Sequence, residues 1–144
     1  MRQIDRFLPA YDVNEIHAIT IDATPEAVYR AIRSLDFASS PIIRSLFRLR
    51  GLPAAAIRLE RLLESGFILL VDEPGKGLVL GLLGRFWRPS GQLISIAAHD
   101  FAAAAPAGCA KAVWDFTIER LPSGQVRLST ETRVACLDGR SRTR

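Results

Sequence analysis

The side chains able to do chemistry in this chain are few and scattered. Its two histidines, His17 and His99, and its two cysteines, Cys109 and Cys136, match no metal-ligand spacing. Two cysteines also make no disulfide framework, and Cys136 reads as a small buried hydrophobe. Histidine is the side chain suited to general-base work near neutral pH, so His17 is either that or a polar contact for a ligand. With no recognisable carboxylate or nucleophile partner, a lone histidine of this kind is more often a structural residue. His99 precedes Asp100, but neighbours in sequence need not face each other. Arg85 offers a guanidinium for a carboxylate or phenolate, or an edge arginine for Asp72 or Glu73. Thr130 and Thr132 could orient a ligand through their hydroxyls, or serve as β-branched strand formers. Glu131 and Arg133 are expected on a solvated charged face with Lys111 and Asp115. These residues name no reaction.

The elements that must position them are clearer. Ala112, Trp114, Phe116 and Ile118 alternate with Lys111, Asp115, Thr117 and Glu119. Val126, Leu128, Thr130, Thr132 and Val134 alternate with Arg127, Ser129, Glu131 and Arg133. Period two in both runs predicts an antiparallel hairpin over 110–136, apolar on one face and charged on the other. Pro122-Ser123-Gly124 suits a three-residue loop with glycine in the left-handed region. That loop places Leu121 opposite Gln125, Glu119 opposite Arg127, Trp114 opposite Thr132 and Asp115 opposite Glu131. The last pair needs Lys111 or Arg133 as a diagonal partner.

Upstream, alternation over 13–23 predicts a strand with His17, Ile19 and Ile21 on one side. Glu15, Ala18, Thr20 and Asp22 fall mostly on the other side or near the edge. Thr24-Pro25-Glu26 is a helix start, with Val28, Ala31, Ile32 and Leu35 forming one stripe. Ser40-Pro41 opens a second helix carrying Ile43, Leu46 and Phe47, stopped at Gly51. Pro53 opens a third, with Leu59, Leu62 and Leu63 on one face and Gly66 at its end. Phe67–Val71 reads as a short strand, Asp72–Gly77 as a turn, and Leu78–Trp87 as a further strand. In that strand Arg85 and Trp87 share one face and Phe86 takes the other. Its glycines mark a bulge or a close approach of another backbone. Between Gln92 and Gly108 only a short strand or helix near 93–96 and an alanine-rich turn after Asp100 are suggested.

Composition sets the bounds. The chain has 144 residues, enough for one domain with a real core, and is 49% apolar and 24% charged. No apolar run reaches the roughly 20 residues of a membrane span. Asp5 interrupts the start where a signal peptide would become apolar, which points to a cytoplasmic protein. The net charge is +4, and all but two of the 19 basic residues are arginine. They form no block, and Arg30, Arg33, Arg44, Arg48, Arg50, Arg58 and Arg61 read as wet helix faces, so nucleic acid is not the expected partner.

A strand, the helix start Ala23-Thr24-Pro25-Glu26-Ala27-Val28, more helix and a run of antiparallel strands resemble the START-like superfamily. This is the helix-grip, SRPBCC group of polyketide cyclases and lipid-transport proteins. Gly84-Arg85-Phe86-Trp87 and Ser129-Thr130-Glu131-Thr132-Arg133-Val134 look similar to a bacterial subgroup of it without an assigned function. The resemblance covers residues 18–35 and 66–137. It implies an α+β domain with an antiparallel sheet, helices inserted after the first strand, and a cavity between the two. Such folds normally end in a long amphipathic helix closing that cavity. The segment 138–144 is too short and polar for that. Either the domain is incomplete at its C-terminus, a second copy covers the apolar face, or the helices between 25 and 65 cover more of it than usual; truncation or a homodimer is the expectation.

The resulting expectation is binding of an apolar or lipid-like small molecule, without cofactor or metal. The ligand-binding set is His17, Arg85, Phe86, Trp114, Phe116, Thr130 and Thr132. One alternative is a cyclase or dehydratase in the same fold, with His17 or Arg85 polarising a carbonyl in a water-excluding cavity. Another is an interaction or dimerisation module using the apolar sheet face.

Overall fold

The computed structural model describes residues 3–34, 59–64, 66–85, 93, 94, 96–104 and 108–136. They form an α+β unit around one five-stranded antiparallel sheet. The strands are β1 (Val13–Ile21), β2 (Ile68–Glu73), β3 (Gly77–Gly84), β4 (Ala110–Arg120) and β5 (Val126–Cys136), in spatial order β1-β5-β4-β3-β2. The helices are α1 (Ile4–Phe7), α2 (Pro25–Arg33) and α3 (Leu59–Glu64). The helix expected after Ser40-Pro41 lies outside the described residues.

The β4–β5 hairpin has the register that its turn dictates. Leu121 N–H donates to the Gln125 carbonyl at 2.8 Å, and Gly124 sits at φ +90°, where a side chain would be strained. Counting back, Glu119 faces Arg127, Asp115 faces Glu131 and Trp114 faces Thr132, as alternation requires. At α2, the Thr24 hydroxyl accepts from Ala27 N–H at 3.1 Å and Pro25 occupies the first turn.

The even-numbered residues of β4 and β5 share what we call the inner face. Leu78, Leu80, Leu82, Trp114, Phe116 and Ile118 bury there under Val28, Tyr29 and Ile32 of α2 and Leu59 and Leu62 of α3. A bare Trp114 and Phe116 would need an external cover; these helices supply one. Phe67 packs on Trp114 with ring centroids 5.3 Å apart. Tyr29 donates to Asp72, and Arg33 bonds both Tyr29 (2.9 Å) and Asp72 (3.0 Å), fastening α2 to the end of β2.

The outer face departs from expectation. Rather than a solvated charged surface, it is a second core in which Val79, Leu83, Val113 and Ala135 meet Ile4, Phe7 and Leu8 from α1 and its exit, and Phe101. Phe101 follows a short 3₁₀ turn, Ala98–Asp100, which ends where the alanine-rich helical turn is expected to begin. Gly81 admits these contacts, since a Cβ there would lie 2.9 Å from both Leu70 and Phe101. At Gly81 the close approach is made by these side chains, not by another backbone as the strand's glycines suggest.

Candidate functional site

Five of the seven expected ligand-binding residues share one region of the inner face. Antiparallel partners project to the same side of a sheet, so each rung can be read across the strands. One rung runs His17, Thr130, Phe116, Leu78; the next runs Glu15, Thr132, Trp114, Leu80. Glu15 therefore belongs to the same face as His17, not to the opposite one, and its carboxylate lies 2.8 Å from His17 Nε2.

Burial falls steadily along those rungs. Trp114 and Phe116 are buried in the core, Thr130 and Thr132 are half-buried, and Glu15 and His17 are exposed. The flanking rungs repeat the gradient: Ile118 is buried, Leu128 half-buried and Ile19 exposed. Among the described residues the helices cover the β3 and β4 half of this face, and exposure rises through β5 to β1. What results is an apolar shelf with two threonine hydroxyls at its middle and a carboxylate–imidazole pair at its rim.

The other two expected residues do not join it. Arg85 is exposed just beyond β3, with its guanidinium beside Gly108, and Phe86 lies outside the described residues. Asp72 is held by Tyr29 and Arg33, and Glu73 accepts from Gln3 at 2.6 Å, so neither is the partner of Arg85. His17 and Arg85 both face solvent.

The polar cluster missed by alternation lies on the outer face. Lys111, Asp115, Glu131 and Arg133 are all buried, Glu131 to 1% exposure. Arg133 Nε lies 2.7 Å from Glu131, and its Nη1 reaches Asp5 at 2.7 Å and the Leu8 carbonyl at 3.0 Å. The guanidinium also stacks 4.5 Å from the Tyr11 ring. Burial pulls the Arg133 pKa down, but the hydrogen bonds to Glu131 and Asp5 outweigh it and the net shift is upward. Lys111 Nζ donates to the carbonyls of Phe101 (2.5 Å) and Ala102 (3.1 Å), and desolvation lowers its pKa. Thr117 donates to Asp115 at 3.0 Å, and Asn14 to Glu131 at 3.3 Å. Every buried side-chain nitrogen and oxygen among the described residues has a partner. That satisfaction makes the cluster a clasp for the N-terminal segment and not an open site.

Cys109 is buried and Cys136 only half-buried. Among the described residues no three His, Cys, Asp or Glu side chains are grouped to hold a metal ion. No described helix is long and apolar enough to cross a membrane. No protein-family model matches the chain, and no curated protein matches it.

Proposed function

We propose that the chain binds an elongated, mainly apolar small molecule with one polar end on the half-open inner face. The observation carrying this reading is the burial gradient along the two rungs from Phe116 and Trp114 through Thr130 and Thr132 to His17 and Glu15. The apolar part would lie over Ile19, Leu128 and Val134 beside the aromatic wall. The threonine hydroxyls would hydrogen-bond its polar end. Affinity would come chiefly from area removed from water, at roughly 25 cal/mol per Å². The order of elements, one strand, then helices, then a four-strand antiparallel run, supports a helix-grip-like reading of the fold. On that reading this face is where the superfamily holds its ligands.

Native mass spectrometry of freshly purified protein tests the proposal. A retained small molecule, or saturable uptake of a long-chain fatty acid or alcohol, is the expected result. Thr130→Val and Thr132→Val together should weaken uptake of the polar-ended ligand while sparing an alkane probe. If no apolar probe binds, or binding ignores Ile19→Glu on the open half of the face, the proposal fails.

A further inference from the structure

The exposed flank of this face is also an unpaired edge, and its residues complement a second copy of themselves. Among the described residues, strand β1 ends the sheet and pairs with β5 alone. The exposed large hydrophobics among the described residues are Tyr11, Val13, Ile16 and Ile19, all on β1 or just before it. Val13, Ile16 and Ile19 are 63%, 56% and 58% exposed. Natural edges of this kind are blunted by lysine, proline, a bulge or a covering segment. The opposite edge, β2, has a register shift between Leu69 and Val71 and engaged acids at its end. Within β1 there is neither lysine nor proline.

The hydrogen-bond phase of the sheet fixes which groups β1 offers outward. Leu121 and Gln125 form a hydrogen-bonded pair, so odd-numbered residues of β5 bond to β4 and even-numbered ones to β1. The partners on β1 are odd-numbered, which leaves the N–H and C=O groups of Asn14, Ile16, Ala18 and Thr20 pointing away from the sheet. An antiparallel copy can meet them about a twofold axis through Ile16. In that register Ile16 faces the partner's Ile16, Val13 faces the partner's Ile19, and Glu15 faces the partner's His17. Glu15 and His17 are then non-hydrogen-bonded pairs, the closer kind, with Cα atoms about 4.5 Å apart. Shifting the axis to His17 opposes imidazole to imidazole, and shifting it to Glu15 opposes carboxylate to carboxylate. Only the Ile16 axis matches both charge and apolar character along the strand.

We infer that β1 pairs with β1 of a second copy, antiparallel about Ile16, to make a closed dimer with one continuous ten-strand sheet. The inner face then runs unbroken across the axis, and the partner's His17 and the partner's Glu15 border each open shelf. Both β1 edges are consumed, so assembly stops at two. This inference stands apart from ligand binding and survives the failure of that reading.

Sedimentation velocity of the full chain across the micromolar range should show a reversible monomer–dimer equilibrium. Ile16→Lys, at an exposed position on the axis, should weaken the dimer about tenfold or more by opposing two ammonium groups. His17→Glu should weaken it about fivefold by opposing carboxylates, and adding Glu15→His should restore it, because the swap regenerates both mixed pairs. Circular dichroism and urea midpoints check that each variant still folds. Hydrogen exchange should show the amides of Asn14, Ile16, Ala18 and Thr20 gaining protection with concentration. A monomer at every concentration overturns the inference. So does a dimer that ignores Ile16→Lys and the charge swap, or growth beyond two copies.

Discussion

Arg133 illustrates how a charge can be kept in a protein interior. Its guanidinium has a carboxylate on its own strand, another from α1, a backbone carbonyl and an aromatic face. Removing one member of such a group leaves the others desolvated, which costs more than the group contributes when intact. Arg133→Met should therefore lower the unfolding free energy by about 3 kcal/mol in urea titration. Lys111 gives a pH signature with a definite sign. Its folded pKa lies below the ordinary 10.5, so the unfolded chain holds that proton more tightly. The penalty of burying the ammonium is present in full below the folded pKa and is relieved as pH rises from there to 10.5. In an alkaline series, the stability difference between wild type and Lys111→Met should shift steadily in favour of wild type. A constant difference would show that the ammonium carries no burial penalty. Alternation in the sequence places Lys111, Asp115, Glu131 and Arg133 correctly on one face, but it cannot say whether that face is wet. The cover comes from Ile4, Phe7, Leu8 and Phe101, on stretches too short to show a period.

At the scale of elements, the caps and turns are local chemistry, and local chemistry is legible. Thr24→Ala removes the acceptor at the start of α2 and should cost about 1 kcal/mol. Gly124→Ala meets no atom within 4 Å, so its cost, about 1 kcal/mol, measures the positive φ alone. Gly77→Ala should cost more, because at φ +146° its Cβ would fall 2.0 Å from the Phe116 carbonyl oxygen. Thermal or urea unfolding of the three variants should rank them in that way. The same locality explains the hairpin, whose bounds and register follow from Pro122-Ser123-Gly124 and a period of two. It also explains the miss at Glu15. Strict parity puts Glu15 with His17, but on a strand exposed on both faces polarity gives no signal to enforce that assignment. Arg85 shows the reverse limit, since whether a residue just past a strand faces a pocket depends on a distant segment.

For the molecule as a whole, the sheet is clamped between two cores of different origin. The inner one is built from α2 and α3, whose apolar stripes announce it. The outer one depends on α1, and removing residues 1–8 should expose Val113, Val79 and Ala135. That truncation should lower the urea midpoint, loosen the burial of Arg133 and create binding for an apolar dye absent in the intact chain. If the midpoint is unchanged, the outer core contributes little. The placement of β1 also has a consequence in time. Among the described residues its one neighbour in the sheet is β5, and Asp5 meets Arg133 from 128 residues away. While the chain is being synthesised, β1 lacks this partner until β5 has left the ribosome. Because such distant contacts form slowly, the backbone groups of β1 that bond to β5 must wait unpaired beside the exposed Val13, Ile16 and Ile19. A chaperone that holds short aliphatic segments should therefore engage nascent chains of this protein through residues 13–21, and release them once Cys136 has emerged.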